Sequence, residues 1–217
     1  MKKSLISLLS MVLLTTGTYA QENTEPFFKQ NALKISPVEF GKAEFQLTYE
    51  RYFNDRSSSL SIMPSIILED SFNESQEGYQ LMAQYRFFLT HLRKDQGKSV
   101  FGFHNIGFYA GVYGLALDYQ KDYMAGYWDD FTMDYIENEY THDQTSYEGG
   151  AIIGLQIDIS NRILLDMYIG GGIRKTDATD TIDDDPNIDM YYRDYNVFDR
   201  EYNGVKPRLG LQLGILF

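Results

Sequence analysis

Four oxygen-bearing side chains fall at every second position near the carboxyl end of the chain: Asp183, Asp185, Asn187 and Asp189. This spacing resembles that of a calcium-binding loop, in which alternate side-chain oxygens surround the cation. Such loops have glycine at the sixth position and glutamate at the twelfth, where this sequence has Ile188 and Asp194, and Pro186 interrupts the run. An acidic turn therefore explains the run better than a metal site, and we expect no bound metal beyond this calcium candidate.

Few residues could act as a general base or a nucleophile. The three histidines are His91, His104 and His142, and none stands with a serine in a recognisable catalytic motif. His142 and Ser146 are four residues apart, a spacing that is common by chance. The glycine run 170–172 is no phosphate loop, because no helix is predicted after it. We expect exposed histidines, no catalytic residue and no cofactor, with a lipid-modifying or proteolytic enzyme that uses His142 as an alternative.

The composition excludes several classes of protein. The chain has 217 residues, a formal net charge of −12 and no cysteine. The length suits one domain, and the surplus of acidic residues argues against a nucleic-acid partner, which requires a basic surface. The lack of cysteine excludes a disulfide scaffold, a cysteine-ligated zinc, a thiol nucleophile and a lipoprotein anchor.

The first twenty residues have the pattern of a secretory signal peptide. Lys2 and Lys3 precede a mostly apolar stretch at 5–14, and Ala20 ends the segment before polar residues. That stretch is shorter than the roughly 20 residues that a membrane-spanning helix needs. We predict a signal peptide at 1–20, an N-terminal tail at 21–31 and one folded domain at 32–217. Removal of residues 1–20 would leave a net charge of −14.

The mature chain alternates between apolar and polar residues with period two, which predicts strands with two unlike faces. Clear strands are predicted at 43–53, 59–69, 79–89, 151–159, 163–169 and 209–217, and weaker ones at 32–40 and 105–119. Short turns at 54–58 and 160–161 contrast with long connections at 120–145 and 175–203, as in outer-membrane barrels. We predict an all-β, transmembrane, antiparallel up-and-down β-barrel of eight strands with long outer loops, and a soluble β-protein is the alternative.

The alternation leaves two details of the strands undetermined. Pro37, Pro64 and Pro207 would each remove a ladder hydrogen bond, so we expect bulges near them. The segment 105–119 is apolar on both faces, so the pattern does not determine which face points inward.

The two faces of the clear strands differ in charge. The outward face carries one charged residue, Arg51, and several aromatic residues that could lie at membrane interfaces. Side chains of both signs on the inward face can pair across a narrow interior, so we predict a lumen closed by paired charges, with a gate or proton path as the alternative. These inward charges are Glu50, Arg86, Asp158, Asp166, Arg174 and Arg208.

The alternating segment 209–217 ends on an aromatic residue, Phe217. It resembles the carboxy-terminal signature that the barrel assembly machinery of Gram-negative bacteria recognises. The mature chain as a whole resembles small eight-stranded outer-membrane barrels of the OmpA-barrel and OmpX kind, many of unknown function. The resemblance implies contact with outer-membrane lipid and with the assembly machinery during biogenesis, and it assigns Phe217 as the assembly signal.

Acidic and aromatic residues concentrate in the two long connections. Segments 120–145 and 175–203 together hold 12 of the 14 net negative charges of the mature chain and eleven aromatic residues. Because aromatic side chains are common anchors of recognition surfaces, we predict a structural or accessory component that binds another envelope protein. A merely solvated surface and a narrow conduit or binding site for small or amphipathic molecules are the alternatives.

Overall fold

The computed structural model describes residues 29–71, 74–93, 105–129, 134–182 and 196–217. Eight antiparallel strands, joined up and down in chain order, form a closed ring. This confirms the predicted all-β class, the number of strands and their order. The strands are β1 (Asn31–Ile35), β2 (Glu44–Phe53), β3 (Ser58–Ser71), β4 (Glu74–Arg93), β5 (Asn105–Asp129), β6 (Asp134–Asp158), β7 (Ile163–Ile182) and β8 (Gly204–Leu216), with a 3-10 helix, η1 (Pro37–Lys42), between β1 and β2.

Some predicted features lie outside the described residues. The signal peptide at 1–20 and the calcium candidate Asp183, Asp185, Asn187 and Asp189 are among them. Within the part of the chain that is described, no helix is long and apolar enough to cross a membrane.

The first and last strands close the ring. Ala32 pairs with Leu216 and Ile35 with Leu213, while Asn31 and Phe217 exchange two backbone hydrogen bonds of 3.1 and 2.9 Å. We call this end of the ring, which also holds the turns at 54–57 and 159–162, the lower end. The opposite, upper end holds η1 and the connection that precedes β8.

The alternation of side chains agrees with the predicted faces. Along β2, Phe45 and Phe53 point outward and are exposed, whereas Gln46, Thr48 and Glu50 are buried in the interior. The other clear strands follow the same rule, because successive side chains of a strand point to opposite faces of the sheet. Exposed apolar side chains therefore cover the outside of the ring, and polar and charged ones fill much of its inside.

The structure of β5 determines which face of the segment 105–119 points inward. Tyr109, Tyr113 and Tyr119 are buried inside the ring, whereas Phe108 and Val112 are exposed outside. The tyrosines face inward because their hydroxyl groups find acceptors there: Tyr109 donates to Asp166 at 2.7 Å and Tyr113 to Glu148 at 2.6 Å.

The prediction of long loops at 120–145 and 175–203 is partly wrong. β5 and β6 continue as a paired ribbon up to Asp129 and Asp134, and the rings of Tyr123 and Tyr140 stack 5.3 Å apart across it. Strand β7 similarly continues to Ile182. The acidic composition misled the prediction, since a ladder is held by backbone groups that every residue except proline provides.

Contrary to the prediction of bulges, the prolines do not shift the strand register. Pro37 lies in the first turn of η1, where proline is well tolerated. Pro64 lies where the pairing of β2 with β3 is interrupted, but the register is the same on both sides. Pro207 pairs in register with Gly171. Within the described ladders, the register shifts instead between Phe88 and Thr90.

Candidate functional site in the interior of the ring

Charged side chains close the interior at three levels, and the middle level is the most buried. Lys34, Glu50, Arg86 and Asp166 have side chains with no exposed surface. The Nζ atom of Lys34 lies 2.5 Å from Glu50 and also bonds Asp166. Arg86 lies 2.5 Å from Asp166 and 3.3 Å from Glu50. Two cations and two carboxylates balance at this level, as burial of charge requires.

Uncharged groups complete the hydrogen bonding of the middle level. The hydroxyl of Tyr52 donates to Glu50 at 2.7 Å, and that of Ser59 donates to the other oxygen of Glu50 at 2.5 Å. Nε of Arg86 donates to Gln84 at 2.9 Å. The carboxylates therefore have neutral donors in addition to their cations, and the group forms a connected network across five strands, β1 to β4 and β7.

The lower level is formed by a side chain that enters from a turn. Arg56 places Nη1 2.5 Å from Asp158, and its guanidinium lies 4.4 Å from the ring centroid of Tyr52. Asn54, Asp55 and Arg56 have left-handed φ values of 49°, 51° and 68°. Asparagine and aspartate tolerate such conformations, but they are unfavourable for arginine, so the turn holds a strained backbone at Arg56 while its side chain occupies the lower opening.

The upper level is centred on one carboxylate. Glu148 accepts two hydrogen bonds of 2.7 Å from the guanidinium of Arg208 and one of 2.9 Å from Arg174. Lys206 is buried nearby and donates to the backbone carbonyl of Asp199. Two cations thus bind Glu148 directly, and the bidentate geometry of Arg208 makes its contact a strong one.

A strap of residues 196–203 lies across the upper level. The carbonyl oxygen of Arg200 accepts hydrogen bonds from Gln144 at 2.9 Å and Arg174 at 2.6 Å. The guanidinium of Arg200 donates to Gln76 at 3.0 Å and to the carbonyl of Lys42. One residue of the strap therefore contacts η1, β4, β6 and β7.

The sequence predicted which charged residues point inward, but it did not predict which of them form ion pairs with one another. All six predicted charges point inward, but they belong to three separate groups. Glu50, Arg86 and Asp166 are together, Asp158 pairs with Arg56, and Arg174 and Arg208 share Glu148. Lys34, Arg56 and Glu148 were not included in the predicted network. The alternation of β1 and β6 could have indicated Lys34 and Glu148, but nothing in the sequence indicated that a turn residue enters the ring.

The prediction of exposed histidines is wrong for His142. Its side chain is buried inside the ring, because position 142 falls on the inward face of β6 once the strand continues upward. Ser146 accepts a hydrogen bond from Gln144 at 2.6 Å and lies 3.0 Å from the hydroxyl of Thr176. Among the described residues, no group of three or more histidine or acidic side chains could hold a metal ion.

Comparison with protein-family models, with curated proteins and with solved structures found no match. The fold and the interior define the chain as a closed ring of eight antiparallel strands with an apolar exterior and a charged, hydrogen-bonded interior.

Proposed function

We propose that the chain is a non-enzymatic outer-membrane β-barrel, exported by its N-terminal signal peptide, that serves as a structural or accessory component of a Gram-negative cell envelope. The observation that supports this best is the distribution of polarity. Large apolar side chains are exposed all around the outside, among them Ile153 and Leu209 at 62% and 60%. A water-soluble protein would place such residues inside, whereas a membrane barrel places them against lipid.

The height of the apolar surface supports the same proposal. Along β7 the outward residues from Ile163 to Ile173 are apolar or glycine, and Lys175 follows. A strand of about ten residues, tilted by about 45°, crosses the hydrocarbon core of a bilayer. Arg51 also points outward, but it lies near the lower end of β2, where contact with lipid headgroups costs little.

Arginine substitutions on one strand test the membrane placement. Ile153→Arg puts a charge within the apolar surface and should reduce membrane insertion by the equivalent of about 2–4 kcal/mol. Thr145→Arg is the matched control, because Thr145 is also exposed and outward on β6 but lies beyond the apolar surface. The measurement is the inserted fraction of each variant in outer-membrane preparations. Equal insertion of the two variants would contradict the proposal.

The closed interior supports the proposal that this component does not conduct ions. Ion pairs at three levels leave charged groups bonded to one another rather than to a column of water, as suits an eight-stranded barrel. We expect the purified chain in a planar bilayer to show conductance indistinguishable from that of the bare bilayer. Stepwise conductance would favour instead the second candidate function, a narrow conduit for small molecules.

The acidic upper end is the candidate surface for an envelope partner. The β5–β6 ribbon projects past Tyr123 and Tyr140, the last pair that neighbouring strands β4 and β7 also accompany. Extraction of native membranes in mild detergent, followed by mass determination and identification of co-purifying proteins, tests this part. A stoichiometric complex is the expected result, and a particle of one chain's mass would contradict the accessory role.

A further inference from the structure

The wall of the ring has a seam beside β1. β1 pairs with β8 from Ala32 to Ile35 and with β2 from Asn31 to Ile35, and it ends there. Among the described residues, positions 204–212 of β8 and 44–46 of β2 therefore have no strand partner on the side of β1. We define the seam as the upper part of the wall between these two segments.

The seam is occupied by η1 in place of a strand. None of the residues of η1 is buried, so its side chains add little to the core. At its end, the carbonyl of Ala43 accepts a hydrogen bond of 3.0 Å from Leu68, and the ring of Phe40 stacks on that of Phe45 at 6.0 Å. An element that buries so little apolar surface is bound weakly, and local opening there costs less than opening of a paired strand.

The exposed side chains at the seam are mostly apolar, although η1 also carries Lys42, which pairs with Glu39 at 2.9 Å. Val38 and Phe40 of η1, Phe45 of β2, and Val205 and Leu209 of β8 are all exposed there. Together they flank the unpaired part of β8 with carbon-rich surface. A hydrocarbon chain can lie against such a surface, but a charged headgroup cannot be stabilised by it.

The inner side of the seam is cationic. Lys206 and Arg208 alternate along β8 with Val205 and Leu209, so one short segment presents apolar groups outward and cations inward. With Arg174 and Arg200, these cations outnumber the two buried carboxylates there, Glu148 and Glu44, which leaves a surplus of positive charge behind the seam. In a chain of net charge −12 this surplus is a local exception.

We propose that the seam is a lateral binding site for a long-chain carboxylate, whose hydrocarbon chain lies along Phe40, Phe45 and Leu209 and whose carboxylate reaches Lys206 and Arg208. Charge complementarity supports this occupant, and the proposal rests on the proposed membrane placement, since the hydrocarbon chain would lie at the lipid-facing side. A partner strand is the less suitable occupant. Pro207 stands within the unpaired edge of β8 and has no N–H to donate to an added strand.

The first experiment measures binding of the fluorescent fatty acid cis-parinarate to the purified full chain in neutral detergent. Oleate should displace the probe, and oleyl alcohol, which has the same chain without the charge, should be weaker by about ten-fold. Lys206→Gln and Arg208→Gln should each weaken binding by about ten-fold. Arg51→Gln, the loss of an exposed cation far from the seam, should leave affinity within about two-fold.

Two variants are needed because Arg208→Gln also removes an ion-pair partner of Glu148 and could weaken binding indirectly. In the described contacts Lys206 bonds only a backbone carbonyl, so Lys206→Gln tests the ligand contact more directly. Equal displacement by oleate and oleyl alcohol, or unchanged binding by Lys206→Gln, would overturn the proposal. Tighter displacement by lysophosphatidate would overturn the assignment of a carboxylate in favour of a phosphate headgroup. A co-purifying protein that blocks the probe would instead identify a polypeptide as the occupant.

A second experiment locates the chain of the ligand. Trp128 is the single tryptophan, so Trp128→Phe provides a background into which one reporter is placed. A brominated stearate should quench Phe40→Trp at the seam more strongly than Leu81→Trp on the outside of β4, and equal quenching would contradict the site. A chain that folds without detergent would refute the membrane placement. If the chain requires detergent to fold but binds oleate no more tightly than oleyl alcohol, the seam site is refuted and the membrane placement is not.

Discussion

Alanine at Gly170 is expected to destabilise the closed ring strongly. A Cβ atom at this position would lie 2.1 Å from the carbonyl oxygen of Ala151 and 2.8 Å from the Cα of Ile152. Both atoms belong to the backbone of β6, which pairs with β7 at this point, so relief requires the two strands to separate. Overpacking in a rigid core commonly costs about 1–3 kcal/mol, and this backbone collision belongs at or above the upper limit.

The matched control for Gly170→Ala is Gly114→Ala. A Cβ atom at Gly114 meets nothing within 4 Å, and its strand also lies between two paired neighbours. This variant should change stability by no more than about 0.5 kcal/mol. Urea unfolding of the folded chain in detergent micelles measures both. Similar midpoints for the two variants would show that the strands of the ring are not packed as closely as described.

Asparagine at Asp166 is the second substitution with a large expected effect. Asp166 contacts Lys34, Arg86 and the hydroxyl of Tyr109 inside the ring. Loss of its charge leaves two buried cations opposite Glu50 alone. Removal of one partner from a buried ion pair typically costs about 3–5 kcal/mol, because the remaining charge stays desolvated. We therefore expect a lower unfolding midpoint in urea with little change in strand content by circular dichroism.

Two further variants separate the buried charge from general effects of substitution. Asp177→Asn removes an exposed carboxylate from the same strand and should change stability by less than about 0.5 kcal/mol. Lys34→Met combined with Asp166→Leu removes one charge of each sign, so the pair should cost less than the sum of the single variants. Additive effects would show that the two side chains do not interact in the folded chain.

The period-two alternation predicted the faces of the clear strands because it follows from local geometry. Gln46 and Thr48 lie inside and Phe45 outside since neighbouring side chains of any strand point in opposite directions. The same rule assigned Asp158, Asp166 and Arg208 to the interior without knowledge of the neighbours of their strands. The rule failed for β5, where both faces are apolar, because the alternation there provides no contrast.

The sequence by itself therefore determined the strand class, the number of strands and the inward position of six charges. The tertiary structure decided which charges meet. Glu50 and Asp166 share Lys34 and Arg86, although Lys34 and Asp166 are 132 positions apart. Such contacts depend on the stagger between strands and on ring closure, which relate distant segments and leave no local pattern. Arg56 is the plainest case, because a strained turn rather than a strand directs it into the ring.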